Sequence, residues 1–203
     1  MIIFSNAVPF MSILVCLTPQ WVPLHWHDGR QHESNLFSEE NNGYSDLANG
    51  PIFNMLCGGD WCDNKKFQWM VYRGSINIFK EHGNWSGWFS EEQSGYTCDP
   101  GRAVRQIQCN NSQCDNMRLL CAGLKDEFRV NNAATSRSNW FSEENGWHYC
   151  GGSGIYFQTH WLVGIGCRGR YCDDVQLRCA RIERRGTIED EPSLEALPEN
   201  IIA

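Results

Sequence analysis

The sequence predicts an all-β domain that is built from three copies of one unit and held together by disulfide bonds. The tetrapeptide Phe-Ser-Glu-Glu begins at Phe37, Phe89 and Phe141, so that both intervals are 52 residues. Each copy is followed by a Cys-x4-Cys-Asp element, and the 3.6-residue periodicity of helices is absent almost everywhere. Repeats with periods of about 20 to 50 residues are typical of architectures assembled from one supersecondary unit.

The composition is that of a packed, acidic globule. The 203 residues suffice for one domain with short appendages, and a hydrophobic content of 41% argues against disorder. The formal net charge of −7 disfavours a nucleic-acid partner, because phosphate binding needs a basic surface. No stretch approaches the ~20 apolar residues that cross a bilayer, so no transmembrane span is expected.

The chain divides into three segments. Residues 1–25 are expected to be a leader or N-terminal extension, because the apolar run from Ile2 to Leu17 has the length of a signal peptide. A structural strand is the alternative, since the run contains no Lys or Arg. Residues 26–181 form the single three-repeat domain, and residues 182–203 read as an acidic disordered tail. The copies span about 32–72, 84–121 and 139–179.

Eleven cysteines at repeated spacings indicate the disulfide framework of an exported protein. Copy one has Asp46 where copy two has Cys98, and Trp69 where copy two has Cys121. Two cysteines that are lost together are most simply partners. The Cys-x4-Cys pairs suit opposed positions across a hairpin loop, and zinc is disfavoured because it needs four ligands per site. The predicted bridges, which leave Cys16 single, are Cys57–Cys62, Cys98–Cys121, Cys109–Cys114, Cys150–Cys179 and Cys167–Cys172.

A second pattern recurs in the copies: Trp-x2-Trp or a single Trp, a Cys, an apolar strand, an acidic turn and a final Leu-x-Cys. Its residues are Trp85, Trp88, Cys98, Gly101, Asp115, Asn116, Leu119 and Cys121 in copy two, and Trp140, Cys150, Asp173, Leu177 and Cys179 in copy three. Over about residues 30 to 180 this pattern resembles the vitelline membrane outer layer protein I family. The resemblance implies a β-prism, in which three Greek-key sheets surround a pseudo-threefold axis. Three sheets around an axis would also bury the apolar face that one sheet leaves open. A β-trefoil, or a β-sandwich without threefold symmetry, is the alternative.

The hairpin tips are the candidate ligand-binding residues. Copies one and three carry Gly-x3-Asp there, from Gly59 to Asp63 and from Gly169 to Asp173. Sugar-binding β-prisms resembling jacalin use such a loop to bind hydroxyl groups while an aromatic ring stacks on the sugar. The alternative is that the aspartates cap the turn after a disulfide. The third tip is basic, which suits an anionic glycan or headgroup. The candidate residues are Gly59, Asp60, Trp61, Asp63, Asp115, Arg168, Gly169, Arg170, Tyr171 and Asp173.

The Glu-Glu pairs and the histidines are weaker candidates. Adjacent strand residues point to opposite faces, so a sequential pair does not make a catalytic dyad. A structural role at a strand start is favoured over calcium ligation, and calcium ligation over catalysis. His25 and His27 have a spacing that a metal can use, but an ordinary surface segment is favoured. No cofactor or metal is therefore expected. The pairs are Glu39/Glu40, Glu91/Glu92 and Glu143/Glu144.

The expected function is that of a secreted structural or extracellular-matrix component, or of a carbohydrate-binding module, without catalytic activity of its own. One alternative is a membrane- or receptor-docking β-prism of a toxin or defence protein. The other is a hydrolase or transferase that acts on glycans. The expected partner is a glycan or a component of the matrix or cell surface, and a membrane surface remains an open alternative.

Overall fold

The structure is a computed structural model that describes residues 20–25, 28–38, 43–72, 77–111, 114–142, 146–151 and 159–186, without the side chain of Trp61. Within these residues the fold is all-β, as the sequence predicts, with short 3₁₀ turns and no α-helix. No helix in the described ranges is long and apolar enough to cross a membrane. The strands are β1 (Trp21–Pro23), β2 (Gly29–Glu33), β3 (Ile52–Gly58), β4 (Asn64–Tyr72), β5 (Asn84–Trp85), β6 (Tyr96–Thr97), β7 (Arg102–Asn110), β8 (Asn116–Gly123), β9 (Phe128–Arg137), β10 (Trp147–Tyr149), β11 (His160–Arg168) and β12 (Asp174–Arg185).

The strands form three antiparallel sheets, each centred on one long hairpin. Sheet I has the order β10-β3-β4-β2, and sheet II has the order β5-β8-β7. Sheet III has the order β1-β12-β11-β6, with β9 also paired to β12. The central hairpins are β3–β4, β7–β8 and β11–β12, and each has one Cys-x4-Cys pair at its turn. Each copy of the repeat therefore supplies the hairpin of one sheet.

Each sheet also receives a short segment from the preceding copy. Tyr44 of copy one bridges Gln108 in sheet II, and β6 of copy two pairs with β11 in sheet III. The strand β10 of copy three pairs with β3 in sheet I. The pairing thus runs from copy one to two, from two to three, and from three back to one. Because the cycle closes, each copy is tied by backbone pairing to both of the others.

The phenylalanine of each Phe-Ser-Glu-Glu motif forms one isolated bridge to the second strand of its own hairpin. All three rings are buried in one core cluster. In copy two the motif does not start a strand, contrary to the sequence-based expectation, because Glu91–Gln93 form a 3₁₀ turn directly after the single bridge. The Glu-Glu pairs of copies one and three lie outside the described residues. The bridges are Phe37 to Lys65, Phe89 to Met117 and Phe141 to Val175.

A serine recurs three residues before each of these phenylalanines and joins its segment to the second strand of the hairpin by hydrogen bonds. This role was not predicted from the sequence. The Ser138 N–H donates to the Leu177 carbonyl at 3.0 Å, and the Leu177 N–H donates to Ser138 Oγ at 2.9 Å. The Ser138 hydroxyl donates to the Asn139 carbonyl at 2.7 Å. The hydroxyl therefore serves as both donor and acceptor, as does its equivalent in each copy. Ser34 and Ser138 are buried, whereas Ser86 is partly buried. The other two pairs are Ser34 with Phe67 and Ser86 with Leu119.

The five predicted disulfide pairings are all present, and all ten cysteines are buried in the same core cluster as the three phenylalanines. The two longer bridges have Cα–Cα distances of 5.6 Å, within the usual range for a disulfide. The three hairpin bridges have Cα–Cα distances of 4.8, 4.9 and 5.0 Å. Cys16 lies outside the described residues.

The domain extends further at both ends than the sequence predicts. The strand β1 lies within the predicted leader of residues 1–25, yet it pairs with the end of β12. The predicted start of the tail at residue 182 is also wrong, because Ile182 is fully buried within β12. Glu183 stays in the sheet because Arg129 pairs with it at 2.7 Å. Copy three is six residues longer than copy two between its equivalent cysteines, because Cys109 to Cys167 is 58 residues and not 52. The sequence places this insertion as a longer loop between Gly151 and His160, and residues 152–158 of it lie outside the described residues.

Candidate functional site

Each hairpin tip has a residue of positive φ two positions after the first cysteine of its Cys-x4-Cys pair. Gly59 and Gly169 have φ of 71° and 74° and precede the 3₁₀ turns Asp60–Cys62 and Arg170–Cys172. Asn111 takes this position in copy two with a φ of 64°. Asparagine enters the left-handed region more readily than most residues, so copy two reaches the positive φ of this position without glycine.

The aspartate of each Gly-x3-Asp segment packs back onto its own turn. A Cβ on Gly59 would lie 2.0 Å from Asp63 Oδ1, and a Cβ on Gly169 would lie 1.9 Å from Asp173 Oδ1. The Asn64 side-chain amide also donates to Asp63 Oδ1 at 2.7 Å. The positive φ therefore favours glycine at both positions, and an added Cβ would displace the aspartate carboxylate. This geometry favours turn capping over direct ligand binding by these two carboxylates.

The tips of the three hairpins meet at one end of the fold. The Sγ atom of Cys114 lies 3.1 Å from the carbonyl oxygen of Asp63, and the Sγ atom of Cys172 lies 3.2 Å from that of Asp115. Both cysteines are fully buried, whereas Asp60 is exposed. The tips of copies one and three thus both contact the tip of copy two, so the three tips form one continuous surface.

Glu91 and Asp115 form an acidic pair beside the third tip. Burial of Asp115, followed by the hydrogen bond and charge of Glu91 and the charge of Glu92, raises the pKa of Asp115 to about 6. A neighbouring carboxylate disfavours the charged form of Asp115, so Asp115 stays protonated to a higher pH than an ordinary aspartate. The remaining glutamates of the repeated motif lie outside the described residues, and these are Glu39, Glu40, Glu143 and Glu144.

The acidic pair does not complete a metal site with the described residues around it. One ligand atom each of Glu91, Asp115 and Cys172 lie within 4.8 Å of one another. However, Cys172 is disulfide-bonded and offers no thiolate. Two carboxylates fall short of the about six to eight oxygen ligands that calcium takes.

The histidines near the N-terminus were the other candidate metal ligands. His25 donates its backbone N–H to Asp28, and His27 lies outside the described residues.

The third tip combines arginine with aromatic rings. The Arg168 guanidinium lies 4.3 Å from the centre of the Trp140 ring and forms an ion pair with Asp174 at 3.0 Å. The Arg170 guanidinium lies 4.8 Å from the centre of the Tyr171 ring and donates to its hydroxyl at 3.0 Å. Both arginines are exposed, so the predicted basic tip is present at the surface.

Behind this tip the β11–β12 hairpin presents a polar outward face. Along β12, Asp174, Gln176 and Arg178 are partly exposed and alternate with buried residues. Gly166 pairs with Gln176, and a Cβ on Gly166 would lie only 3.1 Å from the Trp140 ring, so glycine makes room for the indole. From Asp174 to Arg178 the strand extends about 14 Å. We call this face the outer strip of sheet III, and its residues are Trp140, Arg168, Arg170, Tyr171, Asp174, Gln176 and Arg178.

Sheet II carries a related arrangement that the sequence analysis missed. The Arg118 guanidinium lies 4.7 Å from the Trp85 ring centre and 4.6 Å from the Trp88 ring centre. Trp88 and Trp140 are 52 residues apart, at the position where copy one has Leu36. The replacement of tryptophan by leucine in copy one is the feature of the sequence that distinguishes sheets II and III from sheet I.

No protein-family model, curated protein or solved structure matches this chain. The resemblance to the vitelline membrane outer layer protein I family therefore stays a prediction, and so does the β-prism.

Proposed function

We propose that the chain is a secreted, non-catalytic β-prism that binds glycans through the outer strip of sheet III. Support for the prism comes from three hairpin sheets whose short segments are exchanged in a closed cycle between the copies. Support for secretion comes from five disulfide bonds, which form and persist mainly outside the cytosol.

The observation that carries the proposal is the stacking of exposed guanidinium groups on aromatic rings along one surface. A sugar offers both C–H faces and hydroxyl groups. The rings of Trp140 and Tyr171 suit the C–H faces, and the N–H groups of Arg168 and Arg170 suit the hydroxyl oxygens. Stacking also orders each arginine before a ligand arrives, which reduces the conformational entropy lost on binding.

The differences between the copies support a role in binding over a role in folding. Copy one has Leu36 in place of Trp140, and its outward Lys66 is already ion-paired with Glu33. Copy one nevertheless forms the same hairpin and the same disulfide at its turn. The scaffold therefore does not require an aromatic ring at this position, so the ring in copy three is available for another purpose.

A substitution that the scaffold already accepts in copy one tests the location of the site. Trp140→Leu introduces the residue of copy one, and Leu36→Ala, at the equivalent exposed position, is the control. Binding is first sought on a glycan array and then measured by titration calorimetry. We expect Trp140→Leu to weaken binding about tenfold, since loss of one stacked ring removes on the order of 1 kcal/mol or more.

Two results would count against the proposal. If the intact protein binds no glycan on the array, the carbohydrate-binding function is wrong. If it binds, but Trp140→Leu and Leu36→Ala affect the affinity equally, the site lies elsewhere on the molecule.

A further inference from the structure

Sheet III contains a cleft of about 370 Å³ that adjoins the outer strip. The cleft opens because β9 leaves β12 and then returns to it. Val130 pairs with Ile182, and the Ser138 N–H bonds to the Leu177 carbonyl. Between these two contacts the chain advances eight residues from Val130 but only five along β12, so three residues are in excess. Thr135, Ser136 and Arg137 of this stretch line the cleft.

The lining of the cleft is basic and rich in hydroxyl groups. Arg178 donates from Nη1 to Thr97 Oγ1 at 3.0 Å, and its Nη2 donates to the Ser94 carbonyl. Two buried polar atoms of the lining, Arg178 Nε and Ser136 Oγ, have no hydrogen-bond partner among the residues that the structure describes. Burial, and secondly the positive charge of Arg137, lower the pKa of Arg178. The lining residues are Thr97, Thr135, Ser136, Arg137, Val163, Arg178 and Cys179.

None of the described lining residues is acidic, and neither arginine takes part in an ion pair within the described part of the chain. Two like charges that face one cleft repel each other, and buried polar atoms without partners cost free energy. An anion in the cleft would relieve both penalties at once. This is the arrangement expected of a site whose ligand supplies the missing charge.

The other two copies show that the fold does not dictate this pair of cations. The equivalents of Arg137 and Arg178 in copy one are Glu33 and Gln68, which are hydrogen-bonded to each other at 2.7 Å. In copy two they are the paired apolar residues Trp85 and Leu120. In copies one and two this pair of residues thus finds its partners within the protein. In copy three the same pair of positions holds two positive charges without an acidic partner among the described residues.

We propose that the cleft binds an oxyanion, namely the carboxylate or sulfate group of an acidic glycan that lies along the outer strip of sheet III. The glycan as the source of the anion rests on the proposed function. Arginine offers N–H groups in a fixed fork that matches the oxygens of carboxylate and sulfate. The hydroxyl groups of Ser136 and Thr135 supply further donors. With a net charge of −7, the protein as a whole repels anions, so anion binding needs a local cluster of cations such as this one.

The first experiment uses inorganic sulfate as the probe, with calorimetry and thermal unfolding at constant ionic strength set by sodium chloride. Arg137→Glu recreates the acidic residue of copy one and can pair with Arg178, so the variant is expected to stay folded. Arg30→Glu, at an exposed position on β2, is the control with the same change of charge. We expect Arg137→Glu to weaken sulfate binding about tenfold to a hundredfold. Equal affinity of the wild type and Arg137→Glu, or no sulfate binding by the wild type, would overturn the proposed cleft.

The second experiment separates the cleft from the glycan-binding function. Oligogalacturonate, which carries carboxylates, is compared with its neutral methyl ester, and a sulfated oligosaccharide is the third ligand. Preference for the acidic ligands that disappears in Arg137→Glu supports the inference. Binding of the neutral ester equal to that of the acid, unchanged in Arg137→Glu, refutes the cleft but leaves glycan binding intact. Binding of inorganic sulfate without binding of any oligosaccharide refutes the proposed function and leaves only an anion cleft.

Discussion

Replacement of Asp115 by asparagine should stabilise the protein at neutral and alkaline pH. Asp115 shares its site with Glu91, and its pKa is raised to about 6, first by burial and then by the Glu91 carboxyl group. Above its raised pKa, Asp115 carries a negative charge that burial and the charges of Glu91 and Glu92 disfavour. Asparagine keeps the size and hydrogen-bonding capacity of the side chain but removes this charge.

The sign of the effect follows from proton binding. The ordinary pKa of this group is 3.8, so between about pH 4 and pH 6 the folded state holds a proton that the unfolded state releases. The associated stability is present below about pH 4 and is lost as the pH rises through about 6. A shift of about two pH units corresponds to about 3 kcal/mol. Because Asp115 is only half-buried, solvent screening reduces this to about 1–2 kcal/mol.

Urea unfolding with the disulfides intact, measured from pH 4 to pH 8, provides the assay. We expect the free energy of unfolding of Asp115→Asn to equal that of the wild type near pH 4. At pH 8 it should exceed the wild-type value by about 1–2 kcal/mol. Glu91→Gln should act in the same direction, and Asp99→Asn, at an exposed aspartate, should have no such effect. An Asp115→Asn variant that is less stable than the wild type at pH 8 would refute the account of the acidic pair.

Three further variants test the scaffold. Ser138→Ala should lower the free energy of unfolding by about 1–3 kcal/mol, because the Leu177 N–H loses its acceptor in a buried position; an unchanged urea midpoint would contradict this. Joint replacement of Cys98 and Cys121 by serine should cost about 3 kcal/mol, since their bridge spans 23 residues, and calorimetry that shows no loss in Tm would contradict it. Gly169→Ala should cost at least about 1 kcal/mol, because φ is 74° and the new Cβ meets Asp173; a variant of wild-type stability would show that the turn can relax.

The disulfide framework could be predicted because the chain contains its own comparison. Asp46 and Trp69 replace two cysteines together in copy one, and that joint loss identified Cys98–Cys121 and its equivalent. The repeated serines were equally visible at the same interval, but serine is common and its two hydrogen bonds depend on a backbone that approaches from another segment. The sequence therefore predicted covalent partners better than hydrogen-bonded ones.

Arg168, Arg170 and Tyr171 of the outer strip could be predicted from the basic hairpin tip. The rest of the strip and the cleft could not, because both depend on register between strands that are distant in sequence. Trp140 can stack with Arg168 only because Gly166 has no side chain to fill the space that the indole ring occupies. The cleft depends on the unequal number of residues between the two contacts that join the β9 segment to β12. The ends of the domain were misjudged for a related reason. Charged residues around Ile182 suggested a tail, whereas Arg129 compensates Glu183 in the folded sheet.

An NMR titration of the labelled protein with oligogalacturonate tests the central claim most directly. Backbone and arginine side-chain resonances are followed as the ligand is added. The account predicts shifts that are confined to the outer strip of sheet III and the adjoining cleft, with the largest changes at Arg137, Trp140 and Arg178. Shifts centred on sheet I, or no shifts at millimolar ligand in a folded protein, would contradict it.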